Sequence, residues 1–539
     1  MMYNCSSCGA SLQFDISQQK LRCSHCDRLT DVDGFEKYSD EDSQDVYDAI
    51  RYGCFSCGAE IVTTNESMVS HCAFCGSQNL LSHRLSRETR PSHIIPFQRT
   101  KEDCLTAYKK YLKRFLFAPR EMKEAERLDR FMGIYIPYWV YGAEKKGEIC
   151  FDGEKATGGR GEYRFYDIYR LSVDVDAAYK GLAFDASAKF SDQMADAIAP
   201  FGIQKMRPFS PAVLCGFYAD LPGVDQTEFQ EVAKSIMEKD VYRRSAAKFS
   251  SYKLPSTSSP VVPNIVKLEQ DEPECALFPV WFMSFRKKIS RKKERVAYAI
   301  VNGESGKVAG DVPVDEKRFL LFSLLLSIPV FVLLQMFLTV IPENALFISA
   351  LMSVAVQLSH VRTIKKIRQK ESLQRKAAKE RYVREMETQV GSTEKGKDSA
   401  DRTLSSFFRG LWSVMIALVV AGYLIYRAGT AIDRMSDSAA QIRPLVLAGS
   451  ALVLLFFRVA KNMLKDISVL GYLALLASAA VLFIRPVDDV WYYLATLFCY
   501  GMIVIMLLGL IRQYNVLATN PVPVYREKLS LLYDEEQRV

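Results

Sequence analysis

The sequence predicts a multidomain chain: two small β units in tandem, then a mixed α+β cytoplasmic domain, then an α-helical transmembrane bundle of about six spans. Three observations carry this reading. Eight cysteines in the first 75 residues form two copies of one pattern. Residues 90–315 alternate helix-like with strand-like apolar spacing. From Phe319 onward, charge-free apolar runs recur at lengths near the roughly 20 residues a bilayer requires.

The cysteines come first. Cys5, Cys8, Cys23 and Cys26 recur as Cys54, Cys57, Cys72 and Cys75, each 49 positions later, with two residues inside every pair and 14 between pairs. A C-x2-C turn aims two thiolates at one ion, and two such turns complete a tetrahedron of sulfurs, the arrangement that suits Zn2+. The spacing therefore predicts two tandem zinc ribbons, at 1–35 and 51–85, joined by an acidic linker at 36–50. Four sulfurs per ion leave no open position for water or substrate, so the two expected Zn2+ ions are structural, and metal binding supplies the stability so small a module lacks. His25 and His71 lie in or beside the turns but are surplus to each quartet. A disulfide framework is the competing reading of eight cysteines. No apolar signal segment precedes Cys5, so a reducing compartment, and metal, is expected.

Charge is segregated. The chain carries a net +8, yet residues 1–80 hold 12 Asp and Glu against 5 Lys and Arg. Affinity for phosphate backbones comes mostly from Lys and Arg, so an acidic cysteine-rich end disfavours nucleic acid as its partner. The positive charges gather instead near the apolar region: Arg286 to Arg295 before it, and a basic loop at 362–409 with 14 Lys and Arg against 7 acids. Spans are expected at Phe319–Ile341, Ala345–Val361, Leu411–Tyr426, Leu445–Ala460, Ile467–Ile484 and Val490–Ile511. They make a hairpin at 319–361 and four further helices at 411–511, with a tail at 512–539. The basic segments place both termini in the cytoplasm and the chain in the inner membrane. Lys365 to Met386 reads as a basic helix near anionic lipid.

Between these regions, apolar residues at Leu105, Tyr108, Leu112, Phe115 and Leu116 predict a helix, and Pro119 restarts a second. Ile134–Tyr141 and Arg164–Val175 read as strands. Asp225 is expected to cap a helix running to about Arg244, and 250–264 reads as a linker. Pro137-Tyr138-Trp139 is echoed by Pro279-Val280-Trp281, which predicts two related β-meanders. Gly158-Gly159-Arg160-Gly161 reads as a hairpin loop, and Asp167, Asp174 and Asp176 as a solvated face. Serine nucleophile elbows, phosphate-cradling glycine loops and the His-Glu-x2-His motif do not occur in the sequence, so no catalytic and no cofactor-binding residues are assigned.

At CSSCGA, CSHCD, CFSCGA and CAFCGS the chain resembles the transcription-factor-IIB-type zinc-ribbon family. With IIPF, FLFAP, GIYIPYWVY, LFPVWFMSF and VNGESGKVAGDVPV it resembles a bacterial group of zinc-ribbon membrane proteins. That resemblance implies partners among flotillin-like or phage-shock-type proteins of the envelope-stress response. The combined expectation is a non-enzymatic adaptor or scaffold, in contact with membrane lipid, whose ribbons dock a cytoplasmic protein. Its rivals are a membrane-tethered nucleic-acid regulator and a channel or transporter with a ribbon sensor.

Overall fold

The structure is a computed structural model describing residues 3–32, 45–64, 71–78, 81–124, 128–161, 163–190, 192–257, 262–290, 293–337, 341–357 and 469–523. A three-stranded antiparallel sheet opens the chain: β1 (Leu12–Asp15), β2 (Lys20–Cys23) and β3 (Leu29–Thr30). Leu12, Phe14 and Leu21 alternate inward along it, as a half-buried strand pair requires.

The remaining strands join one 13-stranded sheet among the described residues. They are β4 (Val46–Cys54), β5 (Glu60–Thr63), β6 (Leu81–Thr89), β7 (His93–Ile94), β8 (Met132–Arg160), β9 (Tyr163–Asp185), β10 (Arg207–Pro208), β11 (Tyr218–Ala219), β12 (Glu269–Gln270), β13 (Glu274–Ser290), β14 (Lys293–Asn302), β15 (Val308–Gly310) and β16 (Asn520–Pro521). Strands of the second cysteine repeat lie inside this sheet: β4 pairs β5 and β6, and β5 meets β11 through Val62 and Ala219.

The two aromatic echoes pair with each other. β8 and β13 run antiparallel with Pro137 opposite Leu277 and Pro279 opposite Tyr135. Trp139 and Trp281 are core anchors whose indole N–H groups donate to the carbonyls of Val224 and Arg99. Beyond this paired region β8 and β9 continue as an antiparallel ribbon to Arg160 and Tyr163, with register shifts at Tyr141/Gly142 and Ala156/Gly158, turning at Gly161 with φ +64°. From Tyr138 to its tip it extends about 75 Å. The glycine cluster thus lies at a hairpin end, with Gly158 and Gly159 still paired as strand and Gly161 in the turn, and Asp167, Asp174 and Asp176 are exposed as expected.

Helix α1 (Lys101–Leu112) starts at Thr100 with a reciprocal capping box to Asp103. The restart at Pro119 is a short 3-10 turn, Arg120–Lys123. Helix α2 (Gln230–Ala246) begins later than Asp225 predicts, because that carboxylate accepts from the N–H and hydroxyl of Thr227 and closes a local turn. Its buried Met237, Val241 and Tyr242 cover the base of the ribbon at Phe151 and Leu171. The segment read as a linker at 250–264 contains the start of a short helix, Val262–Val266.

The expectation of a six-span bundle is overturned. Helices α3 (Glu316–Phe337), α4 (Val469–Ile484) and α5 (Val490–Leu517) and a further helix over 342–357 are described. Among the described residues one helix, α5, is long and apolar enough to cross a membrane. Part of the apolar composition elsewhere serves helix packing: Leu346 and Ala350 form one cluster with Leu475 and Ala479 of α4 and Tyr492 of α5. The 16 residues of α4 rise only about 24 Å, short of the roughly 30 Å hydrocarbon core. Helix α3 opens on the charges Glu316, Lys317 and Arg318 and carries Pro329 inside. The segments Leu411–Tyr426, Leu445–Ala460, 362–409 and 524–539 lie outside the described residues.

The end of α5 is fastened to the sheet. The Asn515 amide bonds both backbone groups of Val314, at 2.7 and 2.9 Å, and β16 pairs with Arg295 and Val296 of β14. The C-terminal end of the apolar helix and the cysteine-bearing sheet therefore share one compartment.

Candidate metal centres

All eight predicted ligands fall into the two predicted quartets, the sulfurs of each lying within 4.8 Å of one another. The shorter contacts are Cys5–Cys26 at 3.7 Å, Cys8–Cys23 at 3.4 Å, Cys54–Cys75 at 3.8 Å and Cys57–Cys72 at 3.7 Å. A tetrahedron with metal–sulfur bonds of about 2.3 Å has edges of about 3.8 Å, so the donor set and its size fit a tetrathiolate centre. A disulfide needs sulfurs about 2.05 Å apart, and all eight cysteines are free thiols. Two metal ions can thus be held.

Each knuckle is built the same way. The N–H of the residue after the second cysteine donates to the carbonyl of the first: Gly9 to Cys5, Asp27 to Cys23, Gly58 to Cys54 and Gly76 to Cys72, over 2.7–3.2 Å. The N–H of each first cysteine donates to the carbonyl five residues on. This tight turn needs a left-handed residue, and φ is +73°, +57°, +77° and +67° at these four positions. Three are glycine, which adopts that region without cost, and Asp27 is the exception. The recurrence of Gly9 and Gly58 in the sequence was the visible trace of this requirement.

Proton affinity is divided unequally within each quartet: in the first, Cys8 and Cys26 are pushed up while Cys5 and Cys23 are held down. The backbone N–H of Ser7, then that of Cys8, hold the Cys5 thiol down to about 6, and the N–H groups of Cys26 and His25 lower that of Cys23. In the second quartet hydrogen bonds from Cys57 and Cys72 bring Cys54 down to about 7, and Cys75 is pulled down by Cys54 first. Cys57 and Cys72 are pushed up in return, since four crowded sulfurs share their protons unequally. Neither histidine joins a quartet. His71 Nε2 lies 3.1 Å from the Arg130 carbonyl, and its burial lowers the ring's affinity for a proton.

The settings of the two centres differ. Around the first, Cys8 and Cys26 are exposed and the unit leans on the domain through Phe14, whose N–H donates to the Cys215 carbonyl and whose ring meets Phe217 edge-on. Around the second, all four sulfurs are buried in one apolar cluster with Ile95, Ile134, Phe278 and Phe282. Phe74, inside the second knuckle, packs against Phe282. Arg286 of β13 donates to the Cys75 carbonyl and, at 3.0 Å, to the Ser56 hydroxyl. Sequence reading counts Arg286 among charges flanking the membrane. Its contact with Cys75 lies 211 residues away in sequence and leaves no local signal.

No family model matches the chain, and no solved structure matches it. It is similar to the uncharacterized protein YdjG of Bacillus subtilis (strain 168), 27% identical over 329 residues that cover 59% of this chain and 91% of that protein.

Proposed function

We propose that this chain is a non-enzymatic, membrane-anchored zinc adaptor in which both quartets hold structural Zn2+ and the first ribbon presents the docking face for a cytoplasmic protein. The observation that carries this reading is the contrast between the centres: the second is buried in the sheet to which α5 is fastened, while the first turns two of its ligands outward. A closed tetrathiolate centre has no site for substrate, so its exposed knuckles are surface, not chemistry. Residues 1–80 are acidic, which steers a basic protein surface toward them and repels phosphate. Thiolates that must stay reduced favour the cytoplasmic side of the inner membrane, and α5 supplies the lipid contact. The resemblance to bacterial zinc-ribbon membrane proteins names the partner class: flotillin-like or phage-shock-type scaffolds of the envelope-stress response.

The test uses the full chain purified in mild detergent. Cys8→Ser or Cys26→Ser should remove one zinc and release the co-purifying partner while the chain stays with the membrane fraction. Deleting residues 1–80 is a poor substitute, because β4 and β5 belong to the main sheet. A co-purifying nucleic acid whose loss under nuclease also removes the partner would transfer the preference to the tethered regulator. Partner retention with the first centre emptied would end the adaptor reading.

A further inference from the structure

The second metal centre and the foot of the apolar helix α5 are held by one strand pair. Arg286 on β13 grips the second knuckle through the Cys75 carbonyl and the Ser56 hydroxyl. Directly opposite Arg286 on β14 stands Val296, and Val296 pairs with Asn520 of β16. Its neighbour Arg295 caps the end of α5, donating to the Val516 carbonyl at 2.6 Å, the Thr519 carbonyl at 2.5 Å and the Thr519 hydroxyl at 3.0 Å. A cationic group on the last carbonyls of a helix satisfies acceptors that the helix itself leaves open. A second path runs beside the first. Asp311 accepts from the backbone N–H of Tyr298 and from the Asn520 amide, and the Tyr298 ring leans on Phe282, which in turn packs on Phe74 of the knuckle. Val522, just past β16, packs on the same apolar cluster as the four cysteines.

Tight packing leaves the knuckle no freedom to relax independently of β13. A Cβ on Gly76 would sit 3.2 Å from the Ser284 hydroxyl and 3.3 Å from its carbonyl. Without metal, four mutually close thiols and thiolates lose the ion that holds them together, and the loop carrying Cys72 to Gly76 loses the bonds that orient the Cys75 carbonyl. Arg286 is then left with Glu294 of β14, at 3.5 Å, and the Ser56 hydroxyl, and the β13–β14 pair loses its tie to the knuckle at the position that seats β16. The first centre is tied differently: among the described residues its hydrogen bonds run to Cys215 and Phe97, and it shares a core with Trp281 and Met283 of β13 rather than with Arg286 or β16.

We infer that zinc at the second centre governs the seating of α5, so that metal occupancy in the sheet is read out as the order of the segment Asn515–Pro521 at the membrane helix's foot. The inference rests on zinc filling the second quartet and is independent of what the first ribbon docks.

Hydrogen exchange measured by mass spectrometry on the full chain in nanodiscs, with zinc counted on the same samples, tests it. Cys72→Ser should leave one zinc and speed exchange over 515–521 at least tenfold. Cys8→Ser should also leave one zinc yet hold exchange there within twofold of the parent. Arg286→Ala, which removes no sulfur, should keep two zincs and speed exchange over 515–521 several-fold. If Cys72→Ser yields no folded protein, stepwise chelation of the parent chain gives the same reading against zinc count. Loss of the second-centre zinc with unchanged exchange over 515–521, equal acceleration by Cys8→Ser, or no effect of Arg286→Ala would overturn the link. A parent chain without zinc would instead defeat the metal assignment, and partner release does not enter this readout.

Discussion

The two cysteine quartets have the same spacing, the same knuckle hydrogen bonds and near-equal sulfur distances, yet one lies at the surface of a small three-stranded sheet and the other inside a 13-stranded one. Local sequence specifies how each site grips an ion. What the grip is for depends on partners far along the chain: Phe217 and Cys215 for the first, Phe282 and Arg286 for the second. Duplication of a motif therefore does not duplicate a role.

The sharpest way to break this contrast is to empty the sites one at a time. Cys54→Ser or Cys72→Ser should strip the second zinc and lower the denaturant midpoint of the main-sheet transition sharply while the sheet still folds, because metal binding is lost at a site whose four ligands are all buried. Cys8→Ser should lose one zinc and confine its damage to residues 3–32, leaving the main transition in place. Circular dichroism with metal counting decides, and equal damage from both would show the sites to be equivalent.

A smaller effect tests the contact that embeds the second site. Gly76→Val puts a branched side chain at φ +67° against Ser284 and should cost about 2–4 kcal/mol by denaturant titration. Gly9→Val, with the same turn but nothing within 4 Å, should cost only the backbone term of about 1–2 kcal/mol.

Acid should separate the sites next. Protons compete with the metal for all four thiolates of a quartet, so zinc is held at neutral pH and lost as the pH falls. Zinc should leave the open first centre before the buried second one, followed by a colorimetric zinc indicator during acid titration. Simultaneous release would count against the difference in exposure.

The smallest effect is a gain. Asp27→Gly removes the one non-glycine residue from the left-handed knuckle position and should stabilise the first ribbon by about 0.5–1 kcal/mol, visible as a higher midpoint of chelator-induced unfolding. A loss of stability would show that the Asp27 side chain serves a purpose its backbone does not explain.

The ligands were legible because metal chemistry fixes spacing: eight cysteines in register leave little room for another reading. The hairpin at Gly158–Gly161 was legible for the same local reason. Independence of the ribbons was not, since β5 meets β11 across some 150 residues through one pair, Val62 and Ala219. The start of α2 was misplaced because Asp225 can satisfy either a helix or its own turn, and Thr227 decides for the turn. The span count failed because a run of apolar residues reads alike whether it faces lipid or a neighbouring helix. Leu346 and Leu475, fully buried against each other's cluster, are such residues.

The strand β16 carries one more consequence, and it concerns time. About 220 residues separate Asn302, the end of β14, from Pro521, so the ribosome must finish nearly the whole chain before the edge at Arg295–Val296 meets its partner. At 5–20 residues per second that edge waits roughly 10–45 s after its own synthesis. Both cysteine quartets have emerged long before. The chain can thus load its metals and assemble most of the sheet while one edge stays open, and the arrival of the last apolar helix closes it.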